Sequence, residues 1–477
     1  MQELSEVMDY LAAARIFGIR PGLQRIKALL AELGNPQDSY EVVHVAGTNG
    51  KGSVTAFLAA IAAISGRRTG WYTSPYLENF NERIRLLDGK KGFDSFIEQA
   101  RSAEITDAQL IEVVNEVRAA EQRILDAGYE AATEFELITA TAFLFYAKQD
   151  CDMVILETGM GGRLDATNVV KKPLVTVITA LGYDHQDRLG EHLAEIAGEK
   201  SGIMKLSCPV VVLDPRLVRD DRGEAMLALD VLRQVARAKN CPFEEINASS
   251  VEFATAKLTE FKQSFYYKGD TKPYEISLLA EYQVYNAALA IAAAEHFANE
   301  SQIREGLRLA RWPGRFEFLA KDPAILIDGA HNLQGVLALR NELERYFADQ
   351  ELLFFTGILA DKEHKSMLKA VFTDTTYKAR AIFVAPPPVD RAFEAVKLAE
   401  EISSFIPGSE VIKFTSLDSL GTDCPSDKRC QIYYVNDYRE ICPKLPAIAK
   451  RCQLPLVAFG SLYLIGNSRP LLREALK

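Results

Sequence analysis

The sequence predicts an α/β protein with two domains, each built around a mainly parallel β-sheet. Its 477 residues exceed what one hydrophobic core usually holds. Near-continuous apolar runs recur along the chain, each followed by a glycine-rich or polar loop and then a helical pattern, as in "VVHVAG", "DMVILETG" and "AILIDGAHN". Apolar strands that alternate with helices are typical of parallel sheets covered on both faces, and such sheets bind ligands at the carboxyl ends of their strands.

Composition and charge exclude several classes of protein. Hydrophobic residues make up 48% of the chain and charged residues 25%, as in ordinary globular proteins. No apolar stretch reaches the roughly 18 residues of a membrane span, and the acidic start does not resemble a signal peptide, so we expect a cytoplasmic protein with no membrane partner. The net charge of -10 argues against nucleic acid as a partner. The seven cysteines, at 151, 208, 241, 424, 430, 442 and 452, contain no Cys-x-x-Cys pair, so neither a disulfide framework nor a zinc knuckle is expected.

In the first third of the chain the pattern predicts helices, a strand and a glycine loop. Apolar residues at helical spacing between positions 23 and 33 predict a helix that ends at Gly34. The apolar run at 42–46 predicts a buried strand. Residues 134–148 predict a further helix, which leads to the second strand, "DMVILETG".

The stretch "GTNGKGS", residues 47–53, has the features of a phosphate-binding loop. Glycines let backbone N–H groups turn inward, a helix N-terminus adds partial positive charge, and a lysine reaches the outer phosphates. The spacing differs from the common Gly-x-x-x-x-Gly-Lys-Ser/Thr loop, because Gly52 separates Lys51 from Ser53. At this point a tight strand-to-helix turn that binds nothing remains the alternative.

Two further loops place polar side chains at strand ends. Glu157 ends the second strand ahead of a glycine cluster, and a carboxylate beside a phosphate loop would hold Mg²⁺ directly or through water. A helix cap or a surface residue is the alternative. Asp184 and His185 follow the third strand, "LVTVITALG", where His185 is a metal ligand, a proton carrier or a structural residue.

Lys200 lies on the apolar stripe of a predicted helix, because apolar residues precede it by three, four and seven positions. Burial of a bare ammonium group is costly. Three arrangements avoid that cost: a salt bridge to Glu199 or Glu157, extension of the side chain to the surface, or carbamylation by CO₂, which creates an anion able to bind Mg²⁺. The sequence alone favours extension to the surface.

The second half of the chain predicts a small antiparallel element, a helix and then a second domain. Alternating polar and apolar residues at 245–281 predict an antiparallel strand pair that turns at Gly269 and Asp270. The alanine-rich "YQVYNAALAIAAAEHF" predicts a helix. "WPG" at 312–314 marks the boundary between domains, so we expect a first domain over residues 1–310 and a second over 315–477.

Taken in order, these motifs resemble those of the folylpolyglutamate synthase and dihydrofolate synthase family, within the Mur ligase superfamily. The resemblance is carried by "HVAGTNGKGSV", "TSPYL", "TEFELIT", "ETGMGGRLDATN", "DHQDRLG", "EIAGEKSGIMK", "YQVYNAALA", "WPGRFE", "DGAHN" and "GSLYLIG". It implies an N-terminal P-loop ATPase domain and a C-terminal Rossmann-like α/β domain, with the active site between them. It also implies a monomeric enzyme that joins L-glutamate to a pteroate or folate carboxylate and splits ATP to ADP and phosphate.

The resemblance assigns roles to residues at matching positions. The ATP positions are Asn49, Gly50, Lys51, Gly52, Ser53, Asn286, Arg315 and Asp328. The Mg²⁺ positions are Ser74, Glu157 and His185. The folate positions are Thr133, Glu134, Phe135, Glu136, Leu164, Asp165 and Ala166. His331 and Ser461 are assigned to the glutamate side, and the catalytic positions are Lys51, His185 and Lys200, of which Lys200 is carbamylated.

Three positions depart from the family pattern. Tyr76 stands in place of a histidine, Glu134 in place of an aromatic residue and Leu333 in place of a proline. The first two affect the pterin pocket and leave the substrate preference open between dihydrofolate synthesis, extension of folate tails, or both. A Mur ligase for peptidoglycan precursors, a P-loop kinase or GTPase, and a nucleotide-binding regulator without activity are the competing hypotheses.

Overall fold

The computed structural model describes residues 2–18, 20–220, 222–257, 261–415 and 429–477. The described chain divides into two units by its internal contacts. Unit 1 comprises Met1–Ala256, Gln263–Ser277 and Gln283–Arg311, and unit 2 comprises Lys257–Lys262, Leu278–Tyr282 and Trp312–Lys477.

The part of the chain up to residue 311 contains both helices and strands. Its helices are α1 (Gln2–Ala13), α2 (Gln24–Glu32), α3 (Lys51–Ile64), α4 (Gly89–Glu98), α5 (Asp107–Asp126), α6 (Glu134–Lys148), α7 (Gln186–Leu189), α8 (Leu193–Lys200), α9 (Ala225–Ala238), α10 (Glu281–Ala294) and α11 (Glu300–Leu309). Its strands are β1 (Glu41–Ala46), β2 (Arg68–Tyr72), β3 (Ile84–Asp88), β4 (Met153–Glu157), β5 (Val175–Ile178), β6 (Val210–Leu213), β7 (Phe243–Ile246), β8 (Val251–Lys257), β9 (Lys262–Tyr267) and β10 (Tyr274–Ile276).

Strand β1 lies at the centre of the larger sheet of unit 1, whose order over the described residues is β3-β2-β4-β1-β5-β6-β7. Neighbouring strands are parallel except β2 and β3, which are antiparallel. Val45 of β1 lies beside Glu157 of β4 and Val177 of β5. The carboxyl ends of these three strands therefore meet at one edge of the sheet, where ligands bind in folds of this kind.

The helices that cover this sheet follow from apolar content and capping. Helix α3 is buried at every residue from Ser53 to Ile64. Helix α6 begins at a capping box, in which the side chains of Thr133 and Glu136 each accept from the other residue's backbone N–H. The helix predicted at 134–148 coincides with α6.

The chain from residue 312 onward contains a second sheet with flanking helices. Its helices are α12 (Leu333–Phe347), α13 (His364–Phe372), α14 (Ala395–Phe405), α15 (Tyr438–Ile441), α16 (Leu445–Cys452) and α17 (Leu462–Ala475). Its strands are β11 (Glu317–Lys321), β12 (Ala324–Ile327), β13 (Glu351–Thr356), β14 (Lys378–Val384), β15 (Glu410–Lys413), β16 (Gln431–Tyr434) and β17 (Leu456–Phe459). The order among described strands is β11-β12-β17-β13-β14-β16-β15, and only β11 runs antiparallel to its neighbour.

The predicted class, α/β with two mainly parallel sheets, is confirmed. The region predicted as an antiparallel strand pair contains β9 and β10, which pair as expected, but β8 adds a third strand to that small sheet. Among the described strands, the pattern also missed β2, β3, β6, β7, β11, β15 and β16. Among the described residues, no helix is both long enough and apolar enough to cross a membrane.

The sequence predicts no disulfide framework, yet one cysteine of the chain is bonded. Cys452 is disulfide-bonded. Five others, at 151, 208, 241, 430 and 442, are buried free thiols, and Cys424 lies outside the described residues. Spacing along the chain could not predict the disulfide, because pairing depends on the distance between Cα atoms in the folded chain.

Candidate functional site

The loop after β1 requires glycine at two positions. Gly50 is the N-cap residue of α3 with φ of 89°, and a Cβ there would lie 2.5 Å from Oδ1 of Asn286. A Cβ on Gly47 would lie 1.8 Å from Oγ1 of Thr179. Because Gly50 has no side chain with which to cap the first N–H groups of α3, this helix end suits an anion.

Hydrogen bonds hold this loop to the segment that follows β5. The backbone N–H of Thr48 donates to the carbonyl of Ala180 at 2.8 Å, and its hydroxyl donates to the carbonyl of Gly182 at 3.0 Å. The hydroxyl of Thr179 donates to the carbonyl of Asn49 at 2.7 Å. The shape of the loop is therefore fixed by the neighbouring strand end rather than by the loop alone.

Two lysine side chains donate to the same backbone oxygen in this loop. Nζ of Lys51 lies 3.1 Å from the carbonyl oxygen of Gly47 and 3.3 Å from that of Thr48. Nζ of Lys200, at the end of α8, lies 2.8 Å from the carbonyl oxygen of Gly47. Burial, and secondly the positive charge of Lys51, lower the pKa of Lys200 to about 7.

Lys200 does not extend to the surface, which the sequence alone favoured. The residue is only 3% exposed. Glu199, one of its suggested ion-pair partners, instead binds Arg163 with an N–O distance of 2.6 Å. Because Lys200 lies on the apolar stripe at the end of α8, its side chain points to the sheet edge, where it donates a hydrogen bond to the carbonyl of Gly47.

Glu157 and Ser74 lie together at the carboxyl ends of β4 and β2. Glu157 is 4% exposed, and the backbone N–H of Ser74 donates to its Oε2 at 3.4 Å. Oγ of Ser74 is buried and has no hydrogen-bond partner among the described residues. A buried hydroxyl without a partner beside a carboxylate fits a hard cation such as Mg²⁺. Across the described ranges no group of three or more His, Cys, Asp or Glu side chains is arranged to hold a metal.

His185 lies in the loop after β5 and is the N-cap residue of α7. It adopts a left-handed backbone conformation with φ of 53°, and its side chain is 48% exposed. Its Nε2 lies 4.0 Å from Oδ1 of Asp184. Strands β4, β1 and β5 are adjacent, so Glu157, the glycine loop and His185 all follow neighbouring strand ends.

The carboxylate of Asp165 organises the glycine loop that follows β4. Its Oδ2 accepts from the backbone N–H groups of Gly159 and Met160, both at 2.9 Å. Its Oδ1 accepts from the backbone N–H and hydroxyl of Thr167, at 3.0 and 2.5 Å. Burial raises the pKa of Asp165, while these four hydrogen bonds oppose the rise. All four contacts are internal, whereas the preceding side chain, Leu164, is 37% exposed.

Ion pairs and a cap fix the predicted folate positions at the start of α6. Oε2 of Glu136 accepts from the N–H and the hydroxyl of Thr133 at 2.8 and 2.9 Å, and Nε of Arg25 lies 3.1 Å from it. Glu134 binds Nε of Arg15 at 2.9 Å and keeps a 27% exposed side chain. Thr133 and Glu136 thus shape the helix end, while Glu134 is the accessible carboxylate.

The other two predicted folate positions are apolar and closely packed. The ring of Phe135 lies 6.3 Å from that of Tyr72, and its Cζ would lie 2.5 Å from a Cβ on Gly159. Ala166 is 5% exposed. The aromatic ring therefore lies directly against the loop that Asp165 organises.

Helix α10 supplies a polar pair that the sequence reasoning found only in part. Nδ2 of Asn286 donates to Oε1 of Gln283 at 3.0 Å, and Nε2 of Gln283 donates to Oγ of Ser53 at 3.1 Å. All three side chains are buried. Gln283 was missed, although its position three residues before Asn286 on one face of a helix was a usable signal. Gly52, also predicted, contributes its carbonyl to the hydroxyl of Thr55 at 2.9 Å.

In unit 2, Asp328 follows β12 and organises the turn there. It accepts from the backbone N–H groups of Phe316 and Ala330, both at 2.7 Å. Burial raises the pKa of Asp328, and the charge of Arg315 opposes this. Nη1 of Arg315 would lie 2.1 Å from a Cβ on Gly329, so glycine leaves room for the guanidinium group.

His331 and Ser461 follow β12 and β17, which are parallel neighbours. Nδ1 of His331 lies 2.8 Å from the carbonyl oxygen of Gly329. Ser461 is 1% exposed, and its Oγ accepts from the N–H of Tyr463 at 3.2 Å as the cap of α17. Both predicted residues therefore lie at the carboxyl edge of the second sheet.

Comparison with known proteins places this geometry in a family. Residues 88–294 match the family model of the Mur ligase middle domain, and residues 317–473 match that of the dihydrofolate synthetase C-terminal domain. The chain is 38% identical over 404 residues to the dihydrofolate synthase/folylpolyglutamate synthase of Bacillus subtilis, a match that covers 81% of this chain and 86% of the relative. The chain belongs to the folylpolyglutamate synthase/dihydrofolate synthase family.

Further members of the family match over nearly the whole chain. The probable dihydrofolate synthetase of Schizosaccharomyces pombe is 31% identical over 468 residues, which cover 94% of this chain and 97% of the relative. The crystal structure of Mycobacterium tuberculosis folylpolyglutamate synthase, complexed with ADP and AMPPCP, has a TM-score of 0.78 and 27% identity, and the match covers 99% of this chain and 98% of that one.

Two of the departures from the pattern of the folylpolyglutamate synthase/dihydrofolate synthase family have partners in the structure. The ring of Tyr76 lies 6.1 Å from that of Phe80, and the guanidinium carbon of Arg83 lies 5.2 Å from the centroid of Tyr76. Glu134 forms the ion pair with Arg15 described above. The third, Leu333, opens α12, for which Asn332 provides the cap.

Proposed function

We propose that this chain is an ATP-dependent ligase that joins L-glutamate to the carboxylate of dihydropteroate, of a folate, or of both. The observation that carries the proposal is Lys51, which donates to the carbonyl of Gly47 beside the uncapped end of α3. A cationic side chain at a helix N-terminus creates a site for a highly charged anion such as a triphosphate.

In this proposal the terminal phosphates of ATP bind at the N-terminus of α3. Lys51 would exchange its two backbone carbonyl partners for phosphate oxygens, which bind an ammonium group more strongly because they are charged. The remaining contacts to the nucleotide come from Asn49, Gly50, Gly52, Ser53, Asn286, Arg315 and Asp328.

Ser74, Glu157 and His185 are the proposed ligands of Mg²⁺. The buried, unpaired hydroxyl of Ser74 and the adjacent carboxylate of Glu157 support the first two assignments. When bound, the ion would neutralise charge on the phosphate oxygens.

The reaction needs an activated carboxylate, because a carboxylate ion is a poor electrophile. An oxygen of the pteroate or folate carboxylate attacks the γ-phosphorus, the bond to the β-phosphate oxygen breaks, and ADP leaves. The amine of L-glutamate then attacks the acyl carbon, loses a proton and expels phosphate. Lys51 would stabilise the charge that develops on the transferred group, and no protein nucleophile takes part.

We also propose that Lys200 carries a carbamate in the active enzyme. Only an unprotonated amine reacts with CO₂, and a pKa of about 7 gives Lys200 a large unprotonated fraction at neutral pH. The carbamate would be anionic, and the nearby charge of Lys51 favours an anion at this position.

The pterin end of the acceptor is proposed to bind beside Phe135, Glu134 and the loop that Asp165 organises, with His331 and Ser461 serving the glutamate side. The match to the dihydrofolate synthetase C-terminal domain supports dihydropteroate as one acceptor. The nearly full-length match to the relative from Schizosaccharomyces pombe supports the same choice.

One assay tests the proposed function. The purified chain is incubated with Mg-ATP and L-glutamate, and with dihydropteroate or tetrahydrofolate in separate reactions, and product masses and ADP release are measured. We expect one added glutamate per ADP with dihydropteroate. Addition of glutamate to tetrahydrofolate in the separate reaction would show that the enzyme also extends folate tails.

Two results would contradict the proposal. Phosphorylated product without amide formation would indicate a kinase. Glutamate transfer only to a UDP-muramyl acceptor would indicate a ligase of peptidoglycan precursors.

A further inference from the structure

A buried chain of hydrogen bonds runs from the central strand of unit 1 to the glycine loop after β4. Nε2 of His44, in β1, lies 2.8 Å from Oγ1 of Thr167. The hydroxyl of Thr167 donates to Oδ1 of Asp165 at 2.5 Å. The other carboxylate oxygen of Asp165 accepts from the N–H groups of Gly159 and Met160.

The direction of each bond follows from the number of protons available. Thr167 has one hydroxyl proton, and it goes to Asp165, so the hydroxyl can only accept from His44. Nε2 of His44 therefore carries a proton. Burial, and secondly the positive charge of Lys205, lower the pKa of His44 to about 3, so the ring is neutral and Nδ1 is unprotonated.

Burial of His44 in strand β1 carries a cost in free energy, because one of its ring nitrogens has no hydrogen-bond partner among the described residues. It interrupts the apolar run of β1, is 0% exposed, and lies beside Leu156 of β4 and Thr176 of β5. Its Nδ1 is buried and has no hydrogen-bond partner among the described residues. An apolar side chain would fill this position without that cost, so the imidazole is explained by the donor that it supplies at Nε2.

The loop at the end of this chain connects two groups of the proposed reaction. It starts directly after Glu157. At its other end, the N–H of Arg163 donates to the carbonyl of Glu199 at 2.7 Å, and a Cβ on Gly162 would lie 2.7 Å from the carbonyl oxygen of Lys200. A displacement of the loop would therefore move the backbone at both Glu157 and Lys200.

We infer that His44 is a positioning residue that acts through Thr167 and Asp165 to hold the loop at residues 159–162 against the end of α8. His44 does not touch a substrate. Its N–H orients the hydroxyl of Thr167, this hydroxyl orients the carboxylate of Asp165, and the carboxylate holds the loop through the N–H groups of Gly159 and Met160. The consequence for catalysis rests on the proposed function, whereas the effect on the loop does not.

The test compares His44→Gln with His44→Met. These two side chains have the same length, but only glutamine offers an N–H near the position of Nε2. Hydrogen exchange of the amides is followed by NMR on protein labelled at glycine, methionine and threonine. We expect the amides of Gly159 and Met160 to exchange about tenfold or more faster in His44→Met, and His44→Gln to stay within about threefold of the wild type.

The amide of Thr158 serves as an internal control. It donates to the carbonyl of Val45 at 3.0 Å and not to Asp165, so its exchange should be unchanged in both variants. Equal acceleration at Thr158 and Gly159 would show general loosening of the strand and overturn the inference. Unchanged exchange at Gly159 and Met160 in His44→Met would overturn it as well.

Thr167→Val, which removes the hydroxyl at nearly constant volume, tests the same chain if His44→Met fails to fold. It should accelerate exchange at Gly159 and Met160 as His44→Met does, and the double variant should add little to either change, because both act on one chain. Fully additive effects would overturn the inference.

In the ligase assay, His44→Met should lower kcat/KM for the acceptor by about tenfold to a hundredfold, with His44→Gln restoring most of it. Normal kcat/KM in a variant with a loosened loop would overturn the catalytic part of the inference. Wild-type protein without ligase activity would refute the proposed function and leave the exchange result to stand by itself.

Discussion

At the residue scale, the shared carbonyl of Gly47 is the feature with the clearest chemical meaning. Two lysine nitrogens approach one oxygen, Lys51 at 3.1 Å and Lys200 at 2.8 Å. Two ammonium groups so close repel each other, and an arriving phosphate anion or a carbamate on Lys200 would relieve that repulsion. We therefore expect the two substitutions to differ. Substitution of Lys51 should change activity, whereas substitution of Lys200 should also change how stability depends on pH.

Lys51→Ala should lower turnover by about a hundredfold to a thousandfold while the fold is retained, because one preorganised charge at the transferred phosphate is lost. Ligation rates and circular dichroism spectra check both parts. Lys91→Ala is the matched control. It removes the same charge from an exposed position in α4, outside the loop at 47–53. A near-normal rate in Lys51→Ala would refute the role of Lys51.

Lys200 should make the stability of the protein depend on pH. Its pKa falls from the ordinary value of 10.5 to about 7 in the folded chain, so between these values the unfolded chain binds more protons. The free energy of unfolding should therefore rise as the pH increases from about 7 to 10.5, and it should fall as the pH decreases through that window.

Urea unfolding of wild type and Lys200→Met in CO₂-free buffers measures this effect. The methionine variant lacks the titrating group, so its advantage over the wild type should be largest near pH 7 and should shrink toward pH 10. Parallel curves for the two proteins across this range would contradict the lowered pKa.

At the element scale, strand ends and helix caps determine where the candidate site lies. The apolar runs were sufficient to predict β1, β4 and β5, and parallel pairing then placed the loop at 47–53, Glu157 and His185 at one sheet edge. The start of helix α6 was predictable because its capping box is local in sequence. Strands β2 and β3 were missed because charged and glycine residues interrupt their apolar pattern.

Contacts between distant elements were beyond the reach of sequence reasoning. The bond from Gln283 to Ser53 depends on where α10 packs, and the bond from the N–H of Ser74 to Glu157 depends on the register of β2 beside β4. The burial of Lys200 likewise depends on a carbonyl 153 positions away in the chain.

The N-terminus of α3 should not tolerate a side chain at its cap. Gly50→Ala forces an L-residue into φ of 89° and brings a Cβ within 2.5 Å of Asn286. We expect a loss of about 1–2 kcal/mol in the free energy of unfolding and of about tenfold or more in kcat/KM for ATP.

Gly198→Ala is the matched control for this prediction. Gly198 lies inside α8 and has no heavy atom within 4 Å of a built Cβ. A helix gains about 0.5–1 kcal/mol from this change, so the variant should be as active and at least as stable as the wild type. Equal effects of the two substitutions would show that the cap geometry is not what matters.

At the scale of the whole molecule, the chain contributes to unit 2 from three separate segments. The segment Leu278–Tyr282 supplies Leu279 and Ala280 to a core that also contains Leu339 and Leu343. The backbone N–H of Glu281 donates to Oε1 of Glu342 at 2.8 Å. The second core is therefore built partly from residues that precede the boundary at Trp312.

Leu279→Ala should destabilise unit 2 by about 2–5 kcal/mol, because the leucine is 3% exposed and its removal leaves a cavity. Hydrogen exchange should accelerate at the amides of β13 and remain unchanged at those of β1. Leu206→Ala, at a residue 75% exposed in unit 1, should change neither. Equal acceleration in both sheets would show that the two cores do not open independently.

Because unit 2 is built from three separate segments of the chain, the choice of the junction matters when this protein is recombined with its relatives. A chimera joined at Trp312 would take Leu279 and Ala280 from one parent and the rest of the hydrophobic core of unit 2 from the other. Even if every catalytic group were retained, the core side chains of such a hybrid would come from two parents and would not pack together well. A graft that also transfers residues 257–262 and 278–282 from the donor would keep that interior from a single parent.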